Sequence, residues 1–269
     1  MRLSSLHLYP LKSAAGAPVE TLDILLRGPR YDRRWLVVDA EGAFVTARQV
    51  SEMVLIRARP SGEGLHLSAS GLGDLDVAPP SPDAPRLRVL IWKDTVDAQL
   101  VGALADAWLS ACLRRPVRLV YMDDAARRAV DAAYAQPGDE VSFADGYPLL
   151  VVSQSALDAL NTRLAQAGRE PVAMAQFRPN LVVADAAAHA EDGWKRVRIG
   201  EVVFDAVKLC TRCVFTTVDP RSGMRRDDGE PLNALKDYRR TPAGITFGMN
   251  LIPRGSGTLR VGDRVTVLA

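Results

Sequence analysis

The sequence predicts a mainly β, α+β fold with peripheral helices, and three observations lead there. Short apolar-rich segments separated by turn residues occupy the first hundred positions, two stretches of helical spacing lie further along, and the last third returns to strand patterning. With 269 residues, 48% of them hydrophobic, the chain can bury one large or two modest cores. Two units are expected, 1–115 and 116–269, divided where a helix stops and strands resume.

In order, Leu6 to Tyr9, Trp35 to Val38, Val54 to Ile56, Leu65 to Leu67 and Leu87 to Trp92 read as strands, with Asp39-Ala40-Glu41-Gly42 as a hairpin connection. Strands this short need a common sheet or barrel to bury one face. Pro79, Pro80, Pro82 and Pro85 make 79–86 a loop. The spacing of Leu100, Leu104 and Trp108 predicts a helix from Thr95 to Cys112, ended by Arg114-Arg115-Pro116. A second helix is expected from Ser155 to Gln166, with Leu157, Leu160 and Leu164 inward, Ser153 or Ser155 as cap and Gly168 as stop. Leu181 to Ala184, Val197 to Phe204, Val214 to Val218, Thr246 to Leu251 and Thr258 to Leu268 complete the strands.

Thirty-four basic against 32 acidic residues give a net charge of +2, which excludes a polyanion-binding tail and predicts no nucleic acid partner. Nearly all the cations are arginine, whose planar fork suits phosphate and carboxylate. Hydrophobic runs break well before the ~20 residues of a membrane helix, so no membrane partner is expected. Three cysteines cannot all pair, which points to a reducing compartment and a cytoplasmic location.

Chemistry concentrates in Val207-Lys208-Leu209-Cys210-Thr211-Arg212-Cys213-Val214-Phe215. A CxxC admits a redox pair, half a zinc site, a single reactive thiolate, or two inert buried thiols. Redox pairs start helices, whereas the β-branched residues after Cys213 favour a strand. Closed zinc needs four ligands, but Cys112 sits in a packed helix and His7, His66 and His189 are scattered. A soft thiolate can instead bind molybdenum or copper, with Arg212 or Lys208 favouring its ionised form. Asp205 and Asp219 are candidates for proton handling, although an aspartate before Pro220 also suits a turn.

Three separated motifs give these residues a context: Tyr9-Pro10-Leu11-Lys12-Ser13, then Tyr31-Asp32-Arg33-Arg34-Trp35 with Thr46-Ala47-Arg48-Gln49, and Phe177-Arg178-Pro179-Asn180 with the cysteine run. Glu230-Pro231-Leu232, Tyr238-Arg239 and Val261-Gly262-Asp263 extend the pattern. With these motifs the chain resembles MOSC-domain proteins with an N-terminal β-barrel companion, close to the amidoxime reducing components and the bacterial reductases of N-hydroxylated bases.

That resemblance implies a MOSC β-barrel beside a β-rich N-terminal domain, with the active site where they meet. It also implies a molybdenum cofactor, a Mo-pyranopterin dithiolene, with Cys213 as the metal ligand and Cys210 in support. Lys12, Ser13, Arg33, Arg178, Asn180 and Arg212 fall on cofactor-contact positions. The bland alternatives are that Arg33 pairs with Asp32, Arg178 caps a terminus and Asn180 closes a turn. At Gly146 and Tyr147 the chain departs from the family's small hydroxyl residues, though backbone amides there can still bind an oxyanion. The implied activity is reduction of small N-hydroxylated substrates such as hydroxylaminopurines, amidoximes and hydroxylamines. Three cysteines cannot hold a four-thiolate cluster, so a separate flavoprotein, ferredoxin or cytochrome-type electron donor is expected. The alternative is a molybdenum-cofactor or sulfur carrier with a persulfide on Cys213.

Overall fold

A computed structural model describes residues 1–269. Its largest unit is a nine-stranded, curled half-barrel sheet ordered 265–267, 196–199, 202–211, 244–253, 149–153, 181–184, 2–8 and 17–19, with 240–241 paired to 244–253 off that path. The sheet is antiparallel except where Leu149–Ser153 runs parallel to Leu181–Ala184. Helix α2, Gln154–Gln166, makes that crossover. Both faces of this strand are covered: Leu149 and Val151 join a core with Leu3, Leu6, Leu181, Phe204 and Leu251, while Leu150 and Val152 pack against Leu157, Leu160 and Leu164 of α2. Burial on two sides explains its unbroken apolar run.

A four-stranded sheet ordered 35–38, 118–121, 94–100 and 86–91 forms the second unit. Trp35 and Val37 face a core completed by Leu109 and Leu113 of helix α1, Ala103–Leu113, whereas Leu36 and Val38 face Val89, Ile91, Val96 and Phe143. A three-stranded sheet, 57–61, 64–68 and 75–77, contributes Ala58, Leu65 and Leu67 to the α1 core. Strand pairing crosses the 115/116 division: Arg2–Leu8 lies between Leu181–Ala184 and Ala17–Val19, and Thr21–Leu25 pairs with Gly257–Arg260.

Several elements differ from the sequence expectation. Asp94–Leu100 is a strand rather than the first half of a helix, because Val96 and Ala98 alternate into the second sheet's core. The inward stripe of α1 is Ala105, Leu109 and Leu113, leaving Leu104 71% exposed. Ser51–Leu55 and Val214–Thr217 are 3-10 turns, not strands. In the second, the Thr216 and Thr217 hydroxyls donate to the carbonyls of Cys213 and Val214 at 2.9 and 2.8 Å, local bonds that outcompete the β preference of the run. Ser153 is the N-cap residue of α2, as one of the two expected serines, but without a side-chain capping bond: its Oγ accepts the His189 amide, and Ser155 Oγ donates to Ala186 O. Gly168 does stop α2, at φ +67°, with Arg169 N donating to Leu164 O.

Candidate active site

A cavity of about 1020 Å³ opens between the two larger sheets, and the sequence-predicted Lys12, Ser13, Arg33, Gly146, Tyr147, Arg178, Asn180, Cys210, Arg212 and Cys213 all line it. The backbone presenting them is unusual. Ser13, Arg33 and Arg178 have φ of 70°, 48° and 57°, the left-handed region that costs a residue with a side chain about 1–3 kcal/mol. Packing holds these turns in place, since Leu11 and Ala14 beside Ser13 are fully buried.

Arg33 and Arg178 place their guanidinium carbons 4.2 and 4.4 Å from the Tyr9 ring centroid. Arg33 donates to Asp32 at 2.5 Å, to Asn180 Oδ1 at 3.1 Å and to Arg178 O at 3.2 Å. Asn180 Nδ2 in turn donates to Asp32 Oδ1 and His7 O, and its Oδ1 also accepts Leu150 N, so this side chain is saturated by protein partners. Through these bonds it braces the Asp32–Arg33 pair. Arg178 has only a carbonyl partner, Ala14 O at 2.6 Å; burial, followed by the neighbouring Arg33 charge, pulls its pKa down to about 10.

Lys12 donates to Phe143 O at 2.7 Å and to Asp145 at 2.5 Å. Burial lowers its pKa to about 8 even though Asp145 pulls the other way. For Asp145, enclosure by protein favours the neutral form, yet Lys12, Arg48 and Arg33 outweigh it and hold the carboxyl well below the usual range. Its side chain keeps 66% of its accessible area because it faces the cavity, so the strength of this pair is tempered by solvent.

The Phe143–Tyr147 loop is shaped by a residue the sequence reading did not select. Arg128, 5% exposed, pairs with Asp94 at 2.8 Å and donates to the carbonyls of Ser142, Ala144 and Asp145. With those carbonyls drawn to one guanidinium, the amides of Asp145, Gly146 and Tyr147 take no protein acceptor. Nothing in the local sequence distinguishes Arg128 from its neighbour Arg127. Arg48, from the Thr46–Gln49 motif, lies 4.1 Å over Trp92 and 3.7 Å from Asp145, and its Nε is buried without a partner.

Cys213 is exposed and caps the 3-10 turn. Cys210 is half-buried against the α2 core, and its sulfur accepts Arg212 Nη1 at 2.9 Å. Arg212 also donates to Phe177 O, while its Nε is buried and unpartnered. No three His, Cys, Asp or Glu side chains gather to hold a metal by themselves. Asp205 is drawn into ion pairs with Arg196 and Arg254, and Asp219 accepts Arg221 N in its own turn; neither lines this cavity, which corrects their candidacy for proton handling.

A MOSC N-terminal beta barrel domain profile matches residues 1–116, and a MOSC domain profile matches 138–266. The chain belongs to the MOSC domain family. It is 35% identical to mouse mitochondrial amidoxime-reducing component 1 over 285 aligned positions, covering 99% of this chain and 82% of that protein. The human component 1 is 33% identical over the same shares, and human mitochondrial amidoxime reducing component 2 is 31% identical over 98% of this chain and 82% of that protein. The expectation of a cytoplasmic location is overturned by these relatives, which are mitochondrial by name. Unpaired cysteines report a reducing milieu, and that property does not separate one reducing compartment from another. No helix is long and apolar enough to cross a membrane.

The residues of this MOSC site fit an anionic, planar cofactor. Two unpartnered guanidinium nitrogens, on Arg48 and Arg212, and the carboxylate-free Arg178 surround a space that also holds one exposed thiol.

Proposed function

We propose that this chain is a molybdenum-cofactor-dependent oxidoreductase that reduces N-hydroxylated compounds, using units 1–115 and 116–269 as one scaffold. The observation carrying the reading is the meeting, in one cavity, of a single exposed thiol with Arg178, which has no carboxylate partner, and with Arg48 and Arg212, whose buried Nε atoms have no protein acceptor.

In this reading Cys213 supplies the one protein ligand, as a thiolate, and the remaining ligands belong to the pyranopterin dithiolene. Arg33, Arg178, Arg212, Lys12 and Ser13 hold its phosphate and pterin, joined by the free amides of Gly146 and Tyr147. Asn180 acts through Arg33, and Cys210 orients Arg212. The bound group supplies two-electron oxygen-acceptor chemistry. The net change is R–NH–OH plus two electrons and two protons to R–NH2 plus water. Electrons come from a separate flavoprotein, ferredoxin or cytochrome-type protein, and the substrate is a small molecule.

The test uses protein made in a host that synthesises the cofactor, assayed anaerobically with benzamidoxime and an artificial electron donor beside Cys213→Ser. Stoichiometric molybdenum and pterin with turnover are expected in the parent, and loss of both metal and turnover in the variant. Equal activity in the two would remove the ligand role; a persulfide on Cys213 without metal or pterin would favour the carrier reading instead.

A further inference from the structure

The cavity is at the top of the usual range for ligand pockets and offers room for a second molecule beside a cofactor. Part of its wall is unlike the arginine-rich part. The Lys208 side chain and the ring of Tyr147, whose backbone amide alone was placed beside the cofactor, lie there with Val130 and Asn250.

Lys208 reaches the cavity through a bulge. In the pairing of 202–211 with 244–253 the register slips between Ala206 and Lys208, an insertion of the kind that re-aims side chains near functional sites. Asn250 Nδ2 fixes the bulge by donating to Lys208 O at 3.0 Å. The Lys208 ammonium stands 4.7 Å from the Tyr134 ring centroid. Lys12, Arg33, Arg48 and Arg128 each have an aspartate partner, but no carboxylate lies within ion-pair distance of Lys208. Asp131 also lines the cavity, and its carboxylate is turned to the amide of Ala133.

Tyr134 braces this region from outside the wall. Its ring meets Tyr147 edge-on, with centroids 6.0 Å apart at 82°. Tyr147 also packs against the small core of Val130, Val141, Ala144 and Ile252, which holds the ring in place while part of it lines the cavity. Burial, then Tyr134 and Asp131, push its phenol above the ordinary range, so it stays protonated, and it takes no protein partner. A rigid aromatic plate, a neutral hydroxyl donor and an unpaired ammonium together suit a ring that carries an acceptor or a negative charge.

We propose that Tyr147 and Lys208, braced by Tyr134, form a substrate subsite favouring planar aromatic N-hydroxylated compounds with an anionic substituent over small neutral aliphatic ones. This rests on the reductase reading above. The ring lies against Tyr147, and the anion meets the Lys208 ammonium.

Three amidoximes separate the two contributions: acetamidoxime has neither feature, benzamidoxime has the ring, and 4-carboxybenzamidoxime has ring and charge. Their affinities for the oxidised holoprotein are measured by calorimetry without an electron donor, so no turnover intervenes, and molybdenum content is measured in parallel. Binding is expected to tighten at each step, with about tenfold between the last two from one charge-assisted contact. Lys208→Met brings those two within about twofold, Lys208→Arg restores the preference, and Tyr147→Leu removes the advantage of benzamidoxime over acetamidoxime. Equal affinity of the parent for all three, or a carboxylate preference that survives in Lys208→Met, would overturn the subsite. Adding a donor separates the readings: an intact affinity order with no reduction of any amidoxime sinks the reductase and leaves the subsite, whereas reduction of all three with equal KM does the reverse.

Discussion

Replacing Asp32 by alanine tests how the cationic wall is held. Asp32 is 3% exposed and accepts three donors: Tyr9 N at 3.0 Å, Asn180 Nδ2 at 3.0 Å and Arg33 Nη1 at 2.5 Å. Its removal leaves the Arg33 guanidinium, itself only 12% exposed, beside Arg178 with no counter-charge, and orphans two further buried donors. Breaking a buried pair from one side costs about 3–5 kcal/mol, because the remaining charge is uncompensated. At roughly 2–4 °C per kcal/mol for a chain of this size, the thermal midpoint of Asp32→Ala should fall by on the order of 10 °C. Asp32→Asn keeps the shape and the acceptor for Tyr9 N but presents an amide donor to Arg33 or Asn180, so it should fall by a comparable amount. Differential scanning calorimetry of parent and both variants at one concentration is the assay. A drop below 2 °C in both would refute the claim that Asp32 neutralises this wall.

Other consequences follow from single positions. Gly248 has φ +84°, and a Cβ there would come within 2.7 Å of Val152 Cγ2 and 2.8 Å of Val151 O; Gly248→Ala should lower stability by about 2 kcal/mol or more in urea titrations. The Lys12 pKa of about 8 lies below its ordinary value, so the ammonium that can hold phosphate is lost as pH rises through 8 rather than through 10.5. Cofactor-free protein should therefore bind inorganic phosphate several-fold more weakly at pH 9 than at pH 7, and Lys12→Gln should lack that step in calorimetry. Arg128→Met should release the carbonyls of Ser142, Ala144 and Asp145 and loosen the loop, so that the amides of Val141 and Phe143, bonded to Arg128 O and Arg33 O, exchange faster with α2 unaffected.

Legibility in the sequence followed the locality of the forces. Trp35–Val38 and Leu181–Ala184 were bounded correctly because an unbroken apolar run between turn residues identifies a strand buried on both faces. Asp94–Leu100 was misread because Leu100 and Leu104 fall at helical spacing by coincidence; the hairpin with Arg86–Ile91 decides the matter, and pairing is not local. Val214–Thr217 was misread for the opposite reason, since two threonine hydroxyls outweighed a propensity that summarises packing elsewhere. That the site residues would line one cavity was legible because motifs carried them; composition alone would have yielded only an excess of arginine. Arg128 stayed hidden because its task is to collect carbonyls from a loop 14 to 17 residues away, and a carbonyl has no sequence signature.

The placement of the first strand sets a timetable for assembly. Arg2–Leu8 is flanked by Ala17–Val19 on one side and Leu181–Ala184 on the other, and Leu3 N donates to Asp263 O. During synthesis residues 2–8 must wait for partners made some 180 and 260 positions later. Lys12 and Ser13 lie a few residues after that strand, so the cavity has no complete wall until the strand carrying Asn250 has been made. A fragment of this chain that stops before residue 181 should therefore leave Lys12 and Ser13 without the opposing cavity wall.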